Sequence, residues 1–155
     1  MKAARKNPRH RARESALQVL YQWDVARADV GSAADTFFGL QWADAEEPPA
    51  DLRHFATELA HDTVRRLAEV DTLIADTVER WRPERMAVID RLILRMAVTE
   101  LLRGRVPAEG ARYESTPAPV VINEALELAR TFSTEEAVKF INGMLDAIRR
   151  KLDKD

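Results

Sequence analysis

The chain of 155 residues contains no cysteine. That excludes a disulfide framework and any thiolate zinc site, and it suits a reducing cytosol. Glycine is scarce and scattered, at Gly31, Gly39, Gly104, Gly110 and Gly143, so no glycine-rich phosphate loop can be assembled. No serine stands in a nucleophile elbow, and with no thiol available the usual covalent routes to catalysis are missing. No apolar run approaches the roughly 20 residues a membrane helix requires. The basic N-terminus lacks the apolar stretch of a secretory signal. Strand-like alternation is nearly absent as well.

What is present is helical patterning on a charged surface. Hydrophobic residues make up 46% and charged residues 32%, a balance that predicts one packed domain over residues 1–155 rather than disorder. The net charge of −2 conceals an asymmetry. Lys2, Arg5, Lys6, Arg9, Arg11 and Arg13, with His10 among them, occupy the first thirteen residues without a single acid. Setting those six cations aside leaves 18 basic against 26 acidic residues, a net of −8. A basic arm, flexible over residues 1–8, on an acidic body fits contact with a nucleic acid wherever the arm can reach. It fits equally a solvated tail that keeps the chain soluble, and composition leaves the two open.

About seven helices are expected. The first runs from about Arg9 to Ala28, with Ala12, Ala16, Leu20 and Trp23 on one edge of its apolar face and Leu17 and Tyr21 on the other. Ser32, with Asp35 three residues on, resembles a cap for a short helix through Phe37, Phe38 and Trp42. After Pro48-Pro49, a stripe of Leu52, Phe55, Leu59, Thr63 and Leu67 continues through Val70, Ile74 and Trp81, with Asp71 as a candidate new cap. Met86 to Leu102 is apolar nearly all round and reads as a buried central helix. Residues 104–119 read as a long loop. A helix from Pro119 through Phe132 follows, then a capping box at Ser133-Thr134-Glu135-Glu136. The last helix carries Val138, Ile141, Leu145, Ile148 and Leu152.

Three groups of residues carry possible chemistry. His54, Glu58 and His61 share a helix face, but it lies opposite the apolar stripe and lacks a fourth ligand, so neither a metal nor a cofactor is expected. Asp90 stands at the start of a largely apolar stretch. Pattern alone favours an internal ion pair, with Arg95 or another helix, over a polar spot in a partner interface. Phe140 falls about 120° from the stripe of Val138, Ile141, Leu145 and Ile148 at 100° per residue, with Lys139 beside it. The two would suit stacking a base and holding its phosphate. Periodicity slightly favours the alternative, a second packing face with Gly143 and Ala147.

Four segments in order resemble the NusB family. They are the basic arm leading into RARESALQVLY (Arg11 to Tyr21), IDRLILRMAVTEL (Ile89 to Leu101), INEALELA (Ile122 to Ala129) and KFINGMLD (Lys139 to Asp146). The resemblance covers nearly the whole chain. It implies an all-α fold of about seven helices in two packed small bundles, without catalytic activity. It further implies a cytoplasmic adaptor that, with ribosomal protein NusE, binds single-stranded boxA RNA in nascent ribosomal RNA transcripts. NusA, NusG and RNA polymerase would be the other members of that antitermination complex. By the same resemblance Lys2, Arg5, Lys6, Arg9, His10, Arg11, Arg13, Lys139 and Phe140 would contact RNA, and the stacking reading of Phe140 gains. Tyr21, Glu84 and Asp90 would face NusE, which reverses the balance at Asp90. Ala108 to Thr116 reads as an insertion relative to the family. The resemblance leaves a homodimer open. Two other classes compete: a fragment of an RNA methyltransferase carrying such a domain, and a helical scaffold that binds no RNA.

Overall fold

The structure is a computed structural model that describes residues 7–44, 46–79, 81–105 and 115–154. Among those residues every regular element is helical, in two compact units, Met1–Val64 and Arg65–Asp155.

The first unit begins with α1 (Pro8–Val25). Asn7 caps it, its side-chain oxygen accepting from the Arg9 N–H at 2.8 Å, and Pro8 occupies the first turn, where its missing N–H costs nothing. Ala12, Ala16, Leu17, Val19 and Leu20 are buried. Tyr21, expected on the apolar face, is instead 42% exposed. The helix stops short of Ala28, and Arg27 turns the chain with φ of 60°. The cap of α2 (Val30–Thr36) is Asp29 rather than Ser32: the Asp29 carboxylate accepts from the Ser32 N–H at 3.2 Å. A π-helical turn, Phe37–Gln41, continues α2 directly. Phe37, Phe38 and Trp42 pack ring against ring there, with centroids 5.0 to 6.3 Å apart. The helix α3 (Ala50–Arg65) follows Pro48-Pro49 and buries Leu52, Phe55, Ala56, Leu59 and Ala60.

In the second unit α4 (Leu67–Thr77) starts at Arg66, not at Asp71. Asp71 lies inside α4 and receives the Nε and Nη2 of Arg95 at 2.9 Å each. That fork removes Arg95 as the partner of Asp90. A 3-10 turn, Pro83–Arg85, precedes α5 (Val88–Arg103). The central-helix expectation is met: every residue from Leu92 to Arg103 is buried, and α5 packs against α4, α6 (Ala118–Phe132) and α7 (Glu135–Lys154). Phe132 ends α6 at 39% exposure instead of joining its buried stripe. The cap of α7 is Thr134, whose hydroxyl accepts from the Ala137 N–H at 3.1 Å. Ser133 is therefore not half of a capping box. Its hydroxyl donates to Asp90 Oδ1 at 2.5 Å, joining the first turn of α5 to the α6–α7 corner. The stripe of α7 is buried at Val138, Ile141, Leu145 and Ile148, together with Ala137 and Met144, while Leu152 is half-buried.

Candidate nucleic-acid interface

In the first unit the basic residues are ordered on α1, and each arginine lies on an aromatic ring. The guanidinium carbon of Arg9 stands 4.1 Å from the centre of the Phe55 ring. Arg13, one helical turn on, lies 5.2 Å from the same ring. Arg11, which points to another side of the helix, lies 4.2 Å from Trp42. A guanidinium suits this, because its plane stacks on a ring while its edge keeps N–H donors for an anion. Arg9 and Arg11 retain partly exposed side chains, at 41% and 34%, and pair with Asp51 and Asp44. Arg13 is only 3% exposed, so its cation belongs to the packed structure and presents little to a ligand. His10 is half-buried beside Glu14, with Nε2 at 3.9 Å from the carboxylate. Lys2, Arg5 and Lys6 lie outside the described residues.

In the second unit Lys139 and Phe140 are exposed on α7, Phe140 at 49%. A Cβ added at Gly143 would meet nothing within 4 Å, so among the described residues of this unit no helix uses that glycine for close approach. This removes the second-packing-face reading of Phe140. Phe140 forms one wall of an open cleft of about 560 Å³ whose other walls include Trp81, Arg82, Arg85 and Met86, with Glu79 as an acid among them. Sequence reasoning put Trp81 on an apolar stripe, beyond where α4 ends at Thr77, and assigned no functional role to Trp81, Arg82 or Arg85. The signal was present in RWRPER, where an aromatic lies among cations, but only the geometry puts it beside Phe140.

His54 is exposed and Glu58 and His61 half-buried. Among the described residues no three His, Asp or Glu side chains stand where they would hold a metal ion. No helix among them is long and apolar enough to cross a membrane.

The model of the NusB family matches residues 10–150. The chain belongs to the NusB family. It is 47% identical over 144 residues to the transcription antitermination protein NusB of Solibacter usitatus, covering 93% of this chain and 90% of that protein. The NusB of Koribacter versatilis is 42% identical over 147 residues, covering 95% and 92%. Among solved structures, NusB of T. maritima superposes with a TM-score of 0.74 at 30% identity, covering 94% of this chain and 93% of that one. A crystal structure of the antitermination factors NusB and NusE in complex with double-stranded RNA gives 0.71 at 26% identity, covering 93% and 97%.

The NusB match begins at His10, so Lys2, Arg5, Lys6 and Arg9 precede it. The NusB-like residues expected to meet a protein partner are accessible to different degrees. Tyr21 is exposed on α1 and Glu84 is exposed on the 3-10 turn. Asp90 is half-buried and engaged by Ser133. The segment that reads as an insertion relative to NusB relatives lies outside the described residues except for Ser115 and Thr116. The Thr116 hydroxyl stands 3.4 Å from the Glu100 carboxylate.

Proposed function

We propose that this chain is a non-catalytic, RNA-binding adaptor of transcription antitermination. With ribosomal protein NusE it binds single-stranded boxA-type RNA in nascent ribosomal RNA transcripts. It acts in the cytoplasm beside NusA, NusG and RNA polymerase. Membership of the NusB family over residues 10–150 carries this reading. Its relatives are antitermination proteins, and a fold neighbour was crystallised with NusE and RNA.

The chemistry of the surfaces supports it. RNA phosphates are bound by cations that remain charged and pre-oriented, and Arg9 and Arg11 meet both conditions on their aromatic platforms. Lys2, Arg5 and Lys6 add positive charge before them, His10 adds a ring nitrogen beside them, and Arg13 acts by holding Phe55 and the first turns of α1 in place. Lys139 and Phe140 supply a phosphate contact and a stacking ring, the two elements of single-strand recognition. Tyr21, Glu84 and Asp90 are assigned to NusE. Nothing in this mechanism breaks or forms a covalent bond.

The deciding experiment mixes the purified chain with NusE and a boxA RNA and follows complex formation by size-exclusion chromatography, with a scrambled RNA as control. The reading predicts a ternary complex with boxA RNA that weakens steeply as salt rises. A chain that binds neither RNA nor NusE would be a scaffold of another kind, and a complex indifferent to sequence would remove the boxA assignment. The same column reports whether the free chain is a monomer or a homodimer.

A further inference from the structure

Arg53 repeats on α3 the arrangement that the two accessible arginines of α1 use. Its guanidinium carbon lies 5.3 Å from the centre of the Phe38 ring, as Arg9 lies over Phe55 and Arg11 over Trp42. Its side chain is 45% exposed, at least as open to a ligand as those of Arg9 and Arg11. Each of the three pairs with an exposed carboxylate: Arg9 with Asp51, Arg11 with Asp44, and Arg53 with Asp35 at 3.5 Å. Arg13, which also lies over a ring, differs in being buried.

Arg11 and Arg53 stand on one aromatic pair. Phe38 and Trp42, four residues apart at the π-helical turn, have ring centres 5.7 Å apart and planes tilted by 38°. Phe37 meets both rings edge-on, with centres 5.0 and 6.3 Å away. The Trp42 indole N–H donates to the Glu46 carbonyl at 3.1 Å, which fixes that ring. The position of Arg53 on α3 follows from helical spacing. At 100° per residue it falls about 60° from Ala56, at the edge of the buried stripe of Leu52, Phe55, Ala56 and Leu59. There the stem can lie on a buried ring while the guanidinium reaches water. Two cations from different helices are thus set side by side on a rigid apolar support.

The carboxylate beside Arg53 holds it weakly. Asp35 is 82% exposed, so water and salt screen the pair. A phosphate offers the same two-oxygen edge to a guanidinium, and its neighbours along the strand add their charge. It can take the place of Asp35 while Phe38 keeps the guanidinium where it is.

We propose that Arg53 is a further phosphate contact: the RNA backbone runs from Arg11 on α1 across the Phe38–Trp42 pair to α3, and displaces Asp35 there. This rests on the RNA-binding reading and extends it to a helix which that reading leaves without a contact. Phe38 is buried and Trp42 carries Arg11, so no base stacks at this end. The contact adds affinity and fixes the course of the strand without selecting its sequence.

The test uses the full-length chain and a fluorescein-labelled boxA RNA with several flanking nucleotides on each side, followed by anisotropy over a range of salt, with and without NusE. Arg53→Gln keeps a stem over Phe38 and removes the charge. It should bind about fivefold more weakly, and its salt slope should fall by about 0.7, the value of one single-strand phosphate contact. Asp35→Asn should bind about two- to threefold more tightly, because the cation no longer has a competitor. The exposed Arg105–Asp153 pair of the second unit supplies the charge-matched controls. Arg105→Gln and Asp153→Asn should each change affinity by less than about 1.5-fold, since salt screens charges outside the contact. Opposite effects from the two partners distinguish a phosphate contact from a brace. If Arg53 and Asp35 only brace the fold, both variants lower the unfolding midpoint, neither changes affinity per folded molecule, and the proposal is overturned. If the parent binds RNA and Arg53→Gln matches it in affinity and slope, the strand does not reach α3, although the RNA-binding reading stands. If Arg53→Gln loses NusE while binding RNA alone normally, this surface serves the protein partner and the proposal is overturned. A parent that binds no RNA overturns both readings.

Discussion

Asp71 and Arg95 meet fork to fork, with both guanidinium donors 2.9 Å from carboxylate oxygens, and so tie the middle of α4 to the middle of α5. The Arg95 side chain is 9% exposed and that of Asp71 29%, so the pair is screened little on one side and moderately on the other. Asp71→Ala would leave the Arg95 cation buried without its partner. The expected loss is about 2–3 kcal/mol of unfolding free energy. A urea midpoint unchanged from the parent would show that the pair contributes nothing net. RNA affinity per folded molecule should stay the same, because neither residue belongs to a proposed contact.

The arginines of α1 separate by exposure. Arg9→Ala/Arg11→Ala should leave the fold nearly intact and lower the salt slope of RNA binding by about 1.4, for two lost single-strand phosphate contacts. Arg13→Ala should do the reverse. It removes a cation and an aliphatic stem packed on Phe55, so about 1–2 kcal/mol of stability should go while the slope holds. Salt titrations and denaturant curves on the same samples distinguish the two outcomes. If all three residues changed the slope equally, burial would not be what divides them.

Phe140→Ala should cost about 1–3 kcal/mol of RNA affinity if the ring stacks a base. The residue is already about half exposed, so truncating its side chain should cost only about 1 kcal/mol of stability. A sharply lowered unfolding midpoint, with unchanged affinity per folded molecule, would count against stacking.

Asp90 has two roles to separate. Asp90→Lys removes the acceptor of the Ser133 hydroxyl and puts a cation in the first turn of α5, which together should cost about 1–2 kcal/mol of stability. Ser133→Ala breaks the same hydrogen bond and leaves the carboxylate in place. If Asp90 also contacts NusE, calorimetry should show Asp90→Lys weakening NusE binding well beyond Ser133→Ala, with binding to RNA alone little changed. Equal effects from both variants would confine Asp90 to holding the α6–α7 corner.

Local periodicity carried most of the fold. The all-round apolar character of Leu92 to Leu102 announces a central helix, because no other setting hides every side of it. The offset of Phe140 puts it off the α7 stripe, since angle around a helix axis follows from sequence position, but that angle alone does not separate exposure from a second packing face. Pairings between distant residues left no such trace. Asp71 and Arg95 are 24 positions apart, and Asp90 and Ser133 are 43 apart. Nothing local told Asp71 to be a partner rather than a cap. Caps misled where several capping side chains stood close together: Asp29 and Ser32 before α2, Ser133 and Thr134 before α7. Charge misled at Arg13, where a basic residue reads as surface until Phe55 is seen beneath it. The cleft left no local trace either, since RWRPER shows an aromatic among cations but not that Trp81, Arg82 and Arg85 line one cleft with Phe140.

Gly143 stands three residues after Phe140, and a side chain there would project into open space. A glycine inside a helix costs about 1 kcal/mol relative to alanine, so replacing it should firm α7 rather than disturb it. Because the chain has no cysteine, Gly143→Cys would give it a single thiol, one turn along from the aromatic ring. A photo-crosslinker on that sulfur would capture whatever lies over α7 during transcription, and the mass of the adduct would identify it.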